Sequence, residues 1–307
     1  MTAATPTAPD RVVPVGDSGH PDGAGSRARR AELYPGRRRV NWWLTAVLVV
    51  CSASVLIPFY LAVVTALKSP EQLGGSPWAL PTEWRWDNFA TAIEVVDFPR
   101  ALGNSALVTA GAVVLTLLTN SLVGWVFARN MDRRFFRFGF YFLLAAMFIP
   151  FPVIMLPLVK QTSALGMDSL WGLVLLYAIY NLPFNTLLYT GYVRSIPYEL
   201  EEAAALDGAS PVRRFRSIVF PLLMPINATV VILAALGAWN DFLMPLVVLS
   251  DRAQYTLPLV QYAFQGQFNT QYSLAFASYL MALAPMVLVY VIGQRWIIGG
   301  VVRGSVK

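Results

Sequence analysis

Residues 44–67 run for 24 positions without a single charged side chain. At 1.5 Å of rise per helical residue, about 20 apolar residues cross the hydrocarbon of a bilayer. Inside lipid the backbone must satisfy its own hydrogen bonds, so a run of this length has to be a helix. Five more uncharged stretches follow, at residues 101–128, 138–159, 169–193, 217–240 and about 272–292. Composition agrees: 56% of the residues are hydrophobic, 13% are charged, and mean hydropathy is +0.55. The charged share is about half that of a soluble domain. The expectation is an all-α membrane protein with six transmembrane helices.

The spans are not uniform. Pro150, Pro152 and Pro157 imply a kinked or broken third span, whose freed carbonyls need other partners. Residues 181–185 (NLPFN) interrupt the fourth, and Pro221 and Pro225 lie near the start of the fifth. Residues 68–100 read as a long polar segment, 129–137 as a short basic loop and 160–168 as a short loop. Residues 241–271 read as a mixed loop or re-entrant segment, and 294–307 as a basic tail. Residues 1–40, rich in Pro, Gly, Ala, Ser and Arg, read as a disordered basic tail ahead of a membrane domain over 41–307. That tail has no apolar core and is not a secretory signal. Arg37, Arg38 and Arg39 followed by Trp42 and Trp43 mark entry into the membrane rather than a nucleic-acid surface.

Lysine and arginine placement sets the orientation. With the N-terminus in the cytoplasm, 18 of the 23 basic residues fall on cytoplasmic segments. The positive-inside rule then puts both termini, residues 129–137 and the loop after span four in the cytoplasm.

Chemistry is limited by what is missing. No G-x-x-x-x-G-K-[ST] phosphate loop occurs, and His20 is the only histidine. Neither ATP hydrolysis by that route nor a Ser/His/Asp set is available, so the chain reads as a non-enzyme that binds no cofactor of its own. With the single cysteine Cys51, no zinc site or internal disulfide is expected. Cys51 reads as a small buried hydrophobe.

The charged exception is residues 195–225, SIPYELEEAAALDGASPVRRFRSIVFPLLMP. Pro197 suits a first helical turn, and Glu199, Glu201 and Glu202 suit the positive end of a helix dipole. Gly208 suits a left-handed helix end, and Ser210-Pro211 a new N-cap and first residue. The stretch therefore predicts two short helices with a break, on the cytoplasmic side.

Glu202-Ala203-Ala204, then Gly208, Ile218 and Phe220-Pro221, resemble the EAA loop of ABC-importer permeases, with Phe220 where leucine is usual. The flanks are similar to the carbohydrate-uptake branch, in its MalG-like subunits. Residues 164–173 (ALGMDSLWGL), 239–246 (WNDFLMPL) and 255–258 (YTLP) extend the resemblance over about residues 41–307. The closing GGVVRGSVK departs from the family's usual ending.

The resemblance implies a permease subunit in the inner membrane of a prokaryote. Its implied partners are a second permease subunit, a cytoplasmic ATPase dimer that holds ATP and Mg²⁺, and a periplasmic or extracellular solute-binding protein. It also implies that Leu200, Glu202, Ala203, Ala204, Leu206, Asp207 and Gly208 form an ATPase-coupling helix. The alanines leave a thin face that can enter a groove. Arg213, Arg214 and Arg216 read first as contacts to lipid headgroups.

Polar residues within spans are candidates for the solute path. These are Asn120, Asn181, Asn185, Trp239, Asn240 and Asp241, with Tyr177 and Tyr180 as aromatic faces. Interhelical hydrogen bonding is the competing explanation for each. A sugar is the expected solute, with a glycerol-phosphate-type or other small solute as alternative. An ion-gradient transporter is disfavoured by the lack of carboxylates within the six cores, Asp241 lying at an end.

Overall fold

The computed structural model describes residues 41–265 and 271–305, with side chains up to residue 291. The tail expected over residues 1–40 lies outside the described residues. The chain divides into two units, Met1–Ile57 and Pro58–Lys307. In the first unit, helix α1 (Trp42–Ser54) carries no buried side chain. Its exposed surface is mostly apolar, with Trp42 and Trp43 more than three-quarters exposed, which suits a lipid surround rather than water, and Cys51, expected to be buried, is exposed on it.

The second unit is mainly helical in its described residues. Helix α2 (Leu56–Ala66), which falls in this unit from Pro58 onward, leads to a polar segment holding α3 (Asp87–Val95). Helix α4 (Phe98–Asn130) is followed by α5 (Arg134–Ala146) and α6 (Phe151–Ala164). Then come α7 (Leu170–Tyr180), α8 (Leu182–Val193) and α9 (Glu199–Leu206). The bent segment α10 (Pro211–Leu222) runs into α11 (Met224–Asn240). The short helices α12 (Leu243–Val248) and α13 (Leu257–Gln261) precede α14 (Tyr272–Ser305). Three helical stretches, Trp42–Ala66, Phe98–Asn130 and Tyr272–Val291, are each long and apolar enough to cross a membrane. Three bent pairs bring the total to six if each pair counts as one crossing.

The third and fourth spans break where the sequence places the breaks. The axes of α5 and α6 meet at 103°, with Pro150 extended at the junction and Pro152 in the first turn of α6. Proline disfavours the helical region in the residue before it, which suits a helix ending ahead of Pro150, and Pro152 is tolerated in the first turn of α6, where its missing N–H would be unpaired anyway. Pro183 removes one N–H just after Asn181, where α7 and α8 bend by 47°. The fifth span is shorter than the 217–240 expected. Its straight part starts at Met224 after a 79° bend at Leu223, between Pro221 and Pro225. A π-helical turn over Phe215–Val219 precedes the bend.

Other boundaries shift as well. Arg134 and Arg137 belong to α5 rather than to a loop, Lys160 belongs to α6, and α4 starts early enough to include Arg100. The basic tail expected from 294 is helical up to Ser305. Residues 68–100 are not loose. Asn88 donates from Nδ2 to the carbonyls of Ala66 and Lys68, and Ser273 Oγ donates to the Lys68 carbonyl from the start of α14. Lys68 itself is buried and donates from Nζ to the Ser76 carbonyl at 3.0 Å, so its charge folds the segment rather than facing solvent.

Helix α4 is the axis of the unit. Its buried stripe, Ala101, Ser105, Val108, Ala112, Thr116, Asn120 and Gly124, advances by three or four residues and keeps to small or medium side chains. Small residues let helices approach closely, which is how membrane helices gain packing without a hydrophobic driving force. The stripe meets α7, α8 and α11. Near its start it joins Phe98 and Ala101 to Trp239, Leu257 and Phe264. In the middle it joins Val108 and Ala112 to Leu173, Val174 and Tyr177. Its last turns pack against the cluster of Tyr189, Val193, Val219 and Leu223.

Candidate functional site

The loop between α8 and α10 holds the predicted double helix. Ser195 and Ile196 turn the chain, and the Tyr198 carbonyl accepts from the N–H groups of Glu201 and Glu202. Pro197 therefore precedes the helix instead of opening it, and α9 starts at Glu199. At the other end Gly208 has φ +80°. The Gly208 N–H donates to the Ala205 carbonyl and the Ala209 N–H to the Ala204 carbonyl. This crossed pair of bonds is a Schellman closure, which requires a left-handed residue at the position of Gly208. Ser210 then caps α10, its Oγ accepting from the Arg213 N–H, with Pro211 in the first turn.

The surface of α9 is unusual. Leu206 is 90% exposed and Leu200 46% exposed, while Glu202, Ala203, Asp207 and Gly208 are also on the outside and Ala204 is half-buried. The single buried side chain of the helix is a carboxylate, Glu201, at 1% exposure. Arg129, in the last turn of α4, reaches its Oε1 from Nε and Nη2 at 2.8 Å each. Trp125, one turn earlier on α4, donates from Nε1 to Oε2 at 2.9 Å. Arg129 also donates to the Ile196 carbonyl at 3.1 Å and lies 5.2 Å from the Tyr198 ring centroid. Beside this cluster is a cavity of about 320 Å³ that Arg214 also lines. Arg213 and Arg216 are exposed.

The polar candidates within the spans separate into two groups. Asn181, Asn240 and Asp241 line one cavity of about 350 Å³ together with Tyr177, Tyr180 and Phe151. Tyr177 donates its hydroxyl to Asp241 Oδ2 at 2.9 Å, and the Leu243 N–H donates to Oδ1 at 3.0 Å. Phe151 and Tyr180 meet edge to face, 5.8 Å between centroids. The cavity lies at the far end of α11 from the loop that holds α9. The 17 residues of that helix separate the two by about 25 Å at 1.5 Å per residue.

Asn120 and Asn185 do not reach this cavity. Asn120 is buried on the stripe of α4, accepting from Thr119 Oγ1 at 3.0 Å, and Asn185 is buried on α8. Trp239 packs into the core around Phe98 and Ala101 and borders a second cavity of about 290 Å³ beside Gln261 and Tyr279. The 47° bend at Asn181 separates it from Asn185, although the two are four residues apart.

The family described as binding-protein-dependent transport system inner membrane component matches residues 120–302. This chain belongs to that family. The match covers the end of α4, the loop that holds α9 and the cavity around Asp241. The chain is 36% identical over 273 residues to the multiple sugar-binding transport system permease protein MsmG of Streptococcus mutans, covering 88% of this chain and 98% of the relative. It is 33% identical to the melibiose/raffinose/stachyose import permease protein MelC of Bacillus subtilis, over 86% of this chain and 95% of that one. Among solved structures, a chain of a bacterial ABC transporter involved in import of the acidic polysaccharide alginate superposes with a TM-score of 0.71. It is 20% identical and covers 86% of this chain and 99% of its own, a likeness of fold. As a family member the chain is an inner membrane component of a transport system and not itself an enzyme.

Sequence reasoning placed the acidic helix but missed which acid is held. Glu201 reads as one of three carboxylates at a helix start, and Arg129 as one of several loop cations. The only signal was position: Arg129 follows 28 uncharged residues directly and so has to lie at a helix end.

Proposed function

We propose that this permease forms, with a second permease subunit, the path of an ATP-driven importer for a neutral sugar. A solute-binding protein delivers the sugar from outside. The reading is carried by α9, a helix that leaves Leu200, Glu202 and Leu206 outside while Glu201 ties it to α4. A surface of exposed leucine, thin alanine and acid on the cytoplasmic side is a ready partner for a groove in an ATPase. Leu200, Glu202, Ala203, Ala204, Leu206, Asp207 and Gly208 are assigned to that contact. ATP and Mg²⁺ stay on the partner ATPase. Its closure moves the docked helix, and the spans rock between inward-open and outward-open forms.

In this reading there are six crossings, each bent pair counting as one, with both termini cytoplasmic and the tail of residues 1–40 outside the transport domain. A reporter active only in the cytoplasm should work when fused after Lys307 and fail when fused at Gly166. The reverse pattern would overturn the topology.

The sugar class is supported by relatives named for sugar uptake. The cavity offers Asn181 and Asn240 as paired donors and acceptors and Tyr180 as a ring face, the groups that match sugar hydroxyls. Asp241 in its wall makes a phosphorylated solute the poorer fit. Right-side-out vesicles give the deciding experiment. The complete importer is reconstituted in vesicles with ATP enclosed and candidate sugars with the binding protein outside. Uptake should require ATP and persist after ion gradients are collapsed. Uptake that survives without ATP on an ion gradient alone would make this a secondary transporter. Tyr177→Phe should lower uptake of the preferred sugar several-fold by freeing the Asp241 carboxylate, while assembly with the ATPase stays normal.

A further inference from the structure

The attachment of α9 to the rest of the chain is an ion pair where an apolar contact would be expected. A helix that only had to stick to the bundle would bury Leu200 and Leu206, yet these face outward and Glu201 faces inward. Apolar contacts are non-directional and tolerate sliding. A carboxylate held by two guanidinium nitrogens and an indole N–H is directional and fixes register. Buried ion pairs add little net stability, and their best-attested use is to specify one arrangement over its neighbours.

Arg129 grips more than the carboxylate. The same guanidinium holds the Ile196 carbonyl and stacks against Tyr198, so the chain entering α9 and the first turn of α9 are fixed by one side chain. That side chain stands on the last turn of α4, the helix that contacts α7, α8 and α11 along its length. One turn from Arg129, Gly124 touches Tyr189 and accepts from Thr190 Oγ1, and Tyr189 in turn donates to Asn227 on α11. A displacement of α9 therefore has a stiff polar route into the centre of the bundle that does not pass through the flexible ends of its own loop.

The geometry points to Glu201 and Arg129, with Trp125 as second donor, as positioning residues that transmit the movement of the docking helix to α4. The inference rests on the docking role proposed for α9. Its specific content is that these residues couple hydrolysis to transport without being part of the ATPase contact.

The test uses the complete importer in proteoliposomes and measures three quantities: ATPase bound to the permease pair, ATP hydrolysed, and sugar transported. Arg129→Gln and Glu201→Gln should leave ATPase binding within about two-fold of wild type and hydrolysis measurable. The ratio of sugar moved to ATP hydrolysed should fall at least ten-fold. The double reversal Arg129→Glu with Glu201→Arg should recover part of that ratio. Trp125→Phe, which removes one hydrogen bond and keeps a ring, should lower the ratio less and guards against a folding failure in the charge variants. A normal ratio in Arg129→Gln and Glu201→Gln overturns the inference. So does a fall in transport matched by equal falls in binding and hydrolysis, with no recovery in the reversal. Glu202→Lys in parallel separates the two layers. If it abolishes ATPase binding while Arg129→Gln transports normally, only the linkage fails. If ATPase binding survives Glu202→Lys, the docking reading itself fails.

Discussion

Gly124→Ala is expected to destabilise the bundle more than any other single methyl addition in α4. A Cβ at this position would lie 2.3 Å from Tyr189 Cβ, 3.3 Å from Tyr189 Cγ and 3.4 Å from the Thr190 backbone nitrogen. The nearest atom is next to the backbone of α8 and cannot swing away as a side-chain tip would. Relief requires α4 and α8 to separate or Tyr189 to shift. Tyr189 is fully buried and its hydroxyl is committed to Asn227 Oδ1 at 2.8 Å. Separation would also break the bond from Thr190 Oγ1 to the Gly124 carbonyl. Overpacking of this kind costs about 1–3 kcal/mol in known cores. The loss should appear as a lower thermal midpoint of the purified protein in detergent and as lower membrane yield. Gly191→Ala is the control, because a Cβ there meets nothing within 4 Å. In a helix, that change is neutral to mildly stabilising. Equal stability of the two variants would show that α4 and α8 do not approach as described.

Gly208→Pro is expected to abolish uptake while leaving the protein inserted and its spans intact. The φ of +80° at Gly208 is outside the range of a pyrrolidine ring, which holds φ near −65°. Proline also removes the N–H that closes the helix on the Ala205 carbonyl. The end of α9 must then unwind, and the docking face loses its shape. No Cβ clash occurs at this position, so the defect is one of backbone conformation alone. Gly208→Ala keeps the N–H and pays only the left-handed strain, about 1–2 kcal/mol, so partial uptake should remain. Uptake and ATPase co-purification measured together decide the matter. Wild-type values for both in Gly208→Pro and Glu202→Lys would end the assignment of α9 as the docking helix.

The residues that carried the sequence reading are those whose chemistry acts locally. A proline removes its own N–H whatever surrounds it, so the breaks near Pro150 and Pro183 were legible in one dimension. Gly208 and Ser210-Pro211 were legible for the same reason, since caps involve neighbours within a few residues. Boundaries were less so. The start of the straight fifth span at Met224 depends on where a 79° bend becomes tolerable against neighbouring helices, which apolar content does not report. Lys68 shows the limit from the other side: charge counting puts it in a polar segment, whereas three hydrogen-bonding groups from residues up to 205 positions away make that segment part of the fold.

The candidate solute path shows the same division. Six polar or aromatic residues in or beside spans were candidates in sequence. Packing gathers Asn181, Asn240 and Asp241 around one cavity and sends Asn120, Asn185 and Trp239 elsewhere. The sequence alone determined that this is a helical membrane chain, where its helices break, and which exposed loop carries a helix-glycine-helix turn. It could do so because hydropathy, proline and glycine act through covalent neighbours and the surrounding solvent. Only the tertiary structure decided that Glu201, rather than Glu202, is the carboxylate turned inward. That choice is set by Trp125 and Arg129, more than 70 residues earlier in the chain and brought alongside by the packing of α4 on α8.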